Sequence, residues 1–219
     1  MMRIATWPAP KAVLFDLDGT LVDSSGDLLA ALSHVRHSLG LPGPAPAEAA
    51  QFISAGALAM LQAGLPERFH AQMDALRSQF LEFYAANICV HSSVYPGGRE
   101  LIVALEKNHI RWGIVTNKPY DLALALVNAL GLNPGVLVGG DTLSTKKPHA
   151  APVLHACQQL QTAARDTWMV GDDPRDIQSG QAAGCAKTIA CSYGFLGSTP
   201  DLQYWGADWV IDGLGELDF

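Results

Sequence analysis

The sequence predicts an α/β fold: a parallel sheet with helices on both faces and an inserted α-helical cap. Three observations point that way. Beyond Tyr95, short apolar runs alternate with helical stretches, the rhythm of right-handed βαβ crossovers. Near the start, K-A-V-L-F at 11–15 reads as a buried strand ended by a polar turn at Asp16–Thr20. Between these, residues from about 22 to 92 form a helical block, with no convincing strand between Ser24 and Cys89. They read as an insertion in the first crossover. The expected division is a core of residues 1–21 and 93–219 and a helical cap of residues 22–92.

Taken in order, the first strand leads to a helical pattern from about Ser24 to Leu39, with Asp23 or Ser24 as its cap. L-P-G-P-A-P at 41–46 breaks it. A helical pattern resumes from Glu48 to Asn87. There Phe69, Met73, Leu76, Phe80 and Phe83, at spacings of three and four, make one apolar face. Y-P-G-G at 95–98 is the stronger hinge candidate of the two breakers. Helix Arg99–Lys107 then leads to strand Arg111–Val115, and helix Tyr120–Leu130 to a short strand near Val136–Gly139. Helix Ala151–Leu160 leads to strand Thr167–Val170, and helix Asp176–Ala183 to strand Lys187–Ala190. Trp209–Ile211 closes the series.

Composition narrows the function. In 219 residues there is room for one large domain, or a core with a modest insert. Hydrophobic residues make up 49% and charged residues 16%, which favours a packed core over disorder. The net charge of −7 disfavours nucleic acid or an acidic membrane surface as partner. A small phosphorylated metabolite remains compatible, because a local cation or metal overrides the global sign at close range. The four cysteines, Cys89, Cys157, Cys185 and Cys191, form no C-x-x-C pair and suggest reduced thiols in a cytoplasmic enzyme. No apolar run approaches the ~18 residues of a membrane helix. A cleaved leader of roughly 15–30 residues is not expected, since it would remove the first strand.

Ligands of open parallel sheets bind beyond the carboxyl ends of the strands. The residues expected there are Asp16, Asp18, Gly19 and Thr20, then Thr116, Asn117 and Lys118, then Lys146 and Lys147, then Asp172, Asp173 and Asp176. Asp16 and Asp18 project to the same side of extended chain, about 7 Å apart. They repel, which encourages one to hold a proton. Such a pair can divide the work of nucleophile and general acid, then base. Magnesium takes hard oxygen ligands, and Asp16 and Asp172 with a backbone carbonyl near Asp18 suffice for it. Thr116 and Asn117 offer a hydroxyl and N–H groups at a strand-to-helix turn suited to phosphate. Lys147 supplies a cation for the transferring group, while Lys146 reads as a surface residue. Asp173 suits a helix cap. Asp176 stays open between an orienting partner and a favourable first-turn charge. His34 and His37, at i and i+3, fit a solvent-facing pair better than a metal site.

Four patches, D-L-D-G-T-L-V-D-S at 16–24, V-T-N-K-P at 115–119, K-K-P at 146–148 and V-G-D-D-P-R-D at 170–176, resemble the ordered motifs of the haloacid dehalogenase superfamily. The resemblance covers essentially the whole chain and implies a Rossmann-like core with a cap after the first motif. It implies Asp16 as nucleophile, Asp18 as acid and base, Thr116 as phosphate-binding hydroxyl, Lys147 as charge-neutralising lysine and Asp172 as Mg2+ ligand. Asp18 favours a phosphatase over a dehalogenase, because an alkoxide leaving group needs a proton and a halide does not. Pro174 departs from relatives and leaves Asp176 less defined.

Within the superfamily the chain resembles the phosphoglycolate phosphatase group. Through 88–92, 112–118, 171–180 and 205–212 it also resembles bacterial N-acetylmuramic acid 6-phosphate phosphatases. The expectation is a Mg2+-dependent phosphatase of a small phosphomonoester, acting through an aspartyl-phosphate. Its substrate is expected to bear a carboxylate met by a cationic cap residue, Arg68 being the candidate, with His70 and His91 as further contacts. The alternatives are a phosphosugar mutase of the same superfamily and a non-enzymatic receiver phosphorylated on aspartate.

Overall fold

The computed structural model describes residues 8–196 and 201–219. The first seven residues assigned to the core from sequence, and residues 197–200, lie outside the described residues. In chain order the elements begin with β1 (Ala12–Phe15), β2 (Val22–Asp23), α1 (Ser25–Ser38), α2 (Ala57–Gly64), α3 (Met73–Ala86) and β3 (Ser93–Val94). They continue with α4 (Gly98–Lys107), β4 (Arg111–Val115), α5 (Tyr120–Ala129), β5 (Leu137–Val138) and α6 (Ala151–Gln159). The last are β6 (Thr167–Gly171), α7 (Pro174–Ala183), β7 (Lys187–Cys191) and β8 (Trp209–Ile211).

Six strands form one sheet in the order β5-β4-β1-β6-β7-β8, and every pairing in it is parallel. All four side chains of β1 are apolar, so this strand can be buried on both faces and takes a central place. Phe15 lies opposite Ile114 of β4 and Val170 of β6. The pleat then sorts the core into two layers. Val13 and Phe15 pack with Leu101 and Leu105 of α4 and Leu126 of α5. Ala12 and Leu14 pack with Val153 and Ala156 of α6 on the other face. Helices on both faces are what the alternating pattern predicts.

Residues 25–86 are helical and share a cluster of their own. Leu28, Leu32 and Val35 of α1 meet Met60 and Leu61 of α2 and Leu76, Phe80 and Tyr84 of α3. The continuous pattern expected from Glu48 to Asn87 is divided in the structure. A 3-10 segment (Ala47–Ala55) ends at Gly56, whose φ of +90 breaks the helical path. α2 stops at Leu65, held extended (φ −121, ψ 142) as a residue before proline prefers. A second 3-10 segment, Glu67–Gln72, precedes α3. Phe69 therefore falls outside α3, and Tyr84 rather than Phe83 completes its buried face. The 41–46 breaker lies inside the helical block, between α1 and the first 3-10 segment, and not at its border.

The border itself carries a two-residue antiparallel ladder that the pattern did not reveal. Val22 of β2 pairs with Val94 of β3, and Asp23 with Ser93. Two paired residues are too few for a periodic signal. Buried Asp27 of α1 ties the returning chain beside this ribbon. Its carboxylate accepts the N–H groups of His91 and Ser92 (2.8 and 3.1 Å) and the Ser92 hydroxyl (2.5 Å).

Candidate active site

β1, β4 and β6 lie side by side and end at one edge, so Asp16, Thr116 and Asp172 emerge together. The chain turns sharply after β1 at Gly19, with φ +91. A side chain there meets the Asp172 carboxylate and the Phe195 ring, so this close approach admits only glycine.

Carboxylate oxygens of Asp16, Asp172 and Asp176 lie within 4.8 Å of one another, and all three residues are buried. The Lys147 Nζ sits 2.6 Å from Asp16 Oδ1 and 2.6 Å from Asp176 Oδ1, and donates to the Val115 carbonyl at 2.5 Å. Burial opposes the charge on Lys147, but Asp16 and Asp176 outweigh it and hold its pKa above that of an ordinary lysine. Asp176 also closes a capping box at the start of α7, accepting the Asp173 N–H at 3.1 Å. It thus orients Lys147 and charges the first turn at once. Burial pushes the Asp176 carboxyl up to about 7, and the charges of Asp16 and Asp173 add to this against the pull of Lys147.

Asp172 is held from three sides. The Thr20 hydroxyl donates to Oδ1 at 2.8 Å, and the Phe195 N–H (2.8 Å) and Ser54 hydroxyl (3.3 Å) donate to Oδ2. Burial, then Asp16 and Asp176, raise its pKa well above the ordinary carboxylate value. Like charges this close under burial are costly unless a cation joins them.

Asp18 lies outside the trio. The Lys118 Nζ sits 3.0 and 3.2 Å from its two oxygens, and the Ser24 hydroxyl donates at 2.5 Å. The repulsion anticipated between Asp16 and Asp18 is therefore relieved, because each carboxylate has its own lysine. Thr116 lines the cavity, and its hydroxyl accepts the Lys118 N–H at 3.2 Å. The side chain of Asn117 bonds both ways to the backbone of Lys147, at 3.0 and 3.1 Å, and so fixes the loop that delivers that lysine. Asp173 caps α7 and pairs with Arg175 at 2.7 Å, and Arg175 donates to the Ser54 carbonyl at 2.8 Å.

A cavity of about 490 Å³ opens onto this edge. Asp16, Asp18, Thr116 and Lys147 line one side, and Ser54, Arg77 and Tyr84 the other. Lys146 is exposed at the rim. Arg68 is exposed over the Phe69 ring, and neither it nor His70 nor His91 borders the cavity. His34 stacks on Phe83 at 4.3 Å, and both His34 and His37 are exposed. All four cysteines are free thiols.

Thr20 and Lys118 were expected at the strand ends without a role, and the structure gives them Asp172 and Asp18 as partners. Sequence reasoning missed Tyr84, Ser54 and Arg175, which reach the site across gaps of many residues.

Fold and site together define an α/β enzyme with a buried carboxylate and lysine constellation at the carboxyl edge of its sheet. The chain belongs to the haloacid dehalogenase-like hydrolase family, whose profile matches residues 13–190. It is 39% identical to an N-acetylmuramic acid 6-phosphate phosphatase of Pseudomonas aeruginosa, over 94% of this chain and 92% of that one. It is 37% identical to a phosphoglycolate phosphatase of Chromobacterium violaceum, over 94% of each. Among solved structures, a predicted phosphoglycolate phosphatase from Haemophilus somnus 129pt superposes with a TM-score of 0.80 at 27% identity, covering 94% of this chain and 95% of that one. No helix among the described residues is long and apolar enough to cross a membrane.

Proposed function

We propose that the chain is a Mg2+-dependent phosphoric monoester hydrolase of small phosphorylated metabolites, acting in the cytoplasm. The observation that carries this reading is the buried trio of Asp16, Asp172 and Asp176 with Lys147 among them. The donor set fits magnesium: three hard carboxylates gather there around the single ammonium of Lys147, which reaches Asp16 and Asp176 but is not paired with Asp172. Asp16 and Asp172 would hold the ion, with a backbone carbonyl near Asp18. Bound there, the metal supplies charge neutralisation for the phosphoryl oxygens.

The protein residues then divide the chemistry. An Asp16 oxygen attacks phosphorus and forms the aspartyl-phosphate, while the bond from phosphorus to the substrate oxygen breaks. Asp18 gives its proton to that departing alkoxide. Asp18 next takes a proton from water, whose oxygen attacks phosphorus and releases phosphate and free Asp16. Lys147, the Thr116 hydroxyl and the N–H groups around Asn117 bind the phosphoryl group. Asp176 keeps Lys147 aimed at Asp16. Residues 22–92 act as a cap that excludes bulk water over a core of 1–21 and 93–219.

The names of the relatives support two substrates, N-acetylmuramic acid 6-phosphate and phosphoglycolate, both phosphate esters that bear a carboxylate. The test is phosphate release from a panel of such esters with Mg2+ and with chelator, for the wild type and Asp16→Asn. Magnesium-dependent release, lost by on the order of a thousandfold or more in the folded variant, is the expected result. Wild-type protein inert toward every ester, or a variant as active as wild type, overturns the reading.

A further inference from the structure

One face of α3 extends the site away from the sheet. Arg77, Phe80, Leu81 and Tyr84, spaced i, i+3, i+4 and i+7, all line the cavity. Tyr84 marks the inner end. Its ring lies 4.4 Å from the Lys118 Nζ that grips Asp18, and its buried hydroxyl, with Lys118 as its neighbour, donates to no acceptor among the described residues. Burial pushes that phenol up to about 12, against the opposing pull of Lys118, so it remains a donor at neutral pH. Arg77 lies two turns outward, about 10 Å along the helix axis. It forms no ion pair among the described residues. Asp74, one turn further out, also lines the cavity.

Resting on the phosphatase reading, we propose that Arg77 is a specificity-determining residue that pairs with a carboxylate about one sugar ring away from the scissile phosphate. Tyr84 then donates to a polar group between the two. In phosphoglycolate the carboxylate lies only about 4 Å from phosphorus, by bond lengths near 1.5 Å, which is shorter than the two helical turns from Tyr84 to Arg77. An acid across a hexose ring from a 6-phosphate lies on the order of 8–10 Å away by the same lengths. The cavity, at about 490 Å³, is in the range of sites that enclose ligands well beyond two carbons. The favoured class is thus a phosphorylated sugar acid.

The test compares three esters with Mg2+: N-acetylmuramic acid 6-phosphate, N-acetylglucosamine 6-phosphate, which lacks the acid, and phosphoglycolate. Wild type should prefer the first. Arg77→Ala should raise KM for it by about tenfold to a hundredfold, the worth of a charge-assisted bond, with kcat nearly unchanged. The other two esters should move less than about twofold, and Arg77→Lys should recover part of the loss. Preference of wild type for phosphoglycolate, or Arg77→Ala changing all three esters alike or none, removes the proposal and leaves the phosphatase reading standing. No release from any ester, p-nitrophenyl phosphate included, removes the phosphatase reading and the proposal with it.

Discussion

Lys118 and Asp18 stand 100 residues apart in the chain, yet the lysine Nζ lies 3.0 and 3.2 Å from the two oxygens of the carboxylate. The pair sits at the end of β4 against the end of β1, two neighbouring strands. It is also covered from the helical block, because the Tyr84 ring closes over the ammonium. Burial works against the charge of Lys118, and Asp18 more than restores it. The residue proposed for proton transfer is thereby held in place by a contact that includes the helices above it.

Lys118→Met should lower kcat by about tenfold to a hundredfold, within the range that acid–base catalysis contributes. It should also destabilise the fold by about 3 kcal/mol, because a buried carboxylate loses its partner. Urea unfolding checks the second value. Adding Asp18→Asn to the same chain should recover much of the stability and none of the activity. A single variant as stable as wild type would contradict the role given to the pair.

Stability should depend on pH and metal together. Asp176 is pushed up to about 7 and Asp172 well above its ordinary value, against about 4 in the unfolded chain. Between those limits the folded state binds more protons than the unfolded one, so these two groups make metal-free protein less stable as pH rises. Magnesium binding needs the carboxylates ionised. In hundredfold excess over Kd it should therefore raise Tm by about 5–10 °C at pH 8 and much less at pH 5. Thermal scans with Mg2+ and with EDTA measure this, and Asp172→Asn should abolish the difference. An equal shift at both pH values counts against the site.

Gly19→Ala should cost about 2–3 kcal/mol and more than tenfold in activity. The new methyl group combines left-handed strain with a collision at Asp172. Gly40→Ala is the control. Its φ is +68 with nothing within 4 Å of the added atom, so only the strain of about 1–2 kcal/mol is paid. Equal losses at the two positions would show that Gly19 answers to backbone conformation alone.

Asp27→Ala should destabilise by about 2–3 kcal/mol, since it leaves the His91 and Ser92 N–H groups without their charged acceptor. Asp27→Asn should cost less, as its amide oxygen still accepts. Chemical denaturation of both variants gives the ranking, and the reverse order would refute this account of the join between α1 and β3.

The strands of the core were legible because burial on both faces demands short uninterrupted apolar runs, as in Ala12–Phe15 and Thr167–Gly171. Their polar successors marked the edge where Asp16, Thr116 and Asp172 meet. The helical character of about 24–39 and 48–87 was legible through apolar spacing, whereas the division of the second stretch by 3-10 segments was not, because Gly56 and Pro66 act on backbone angles that hydrophobic spacing does not report.

The sequence by itself determined the chain order of the six sheet strands and the helices α4 to α7 between them, the family motifs and the residues at the strand ends, since each is written in neighbouring positions. Only the tertiary structure decided which charges pair. Lys118 meets Asp18, Lys147 bridges Asp16 and Asp176, and Arg77 in place of Arg68 borders the cavity. Pairing depends on distances across the sheet edge and between helices, and charge attraction acts through space with no regard to position along the chain.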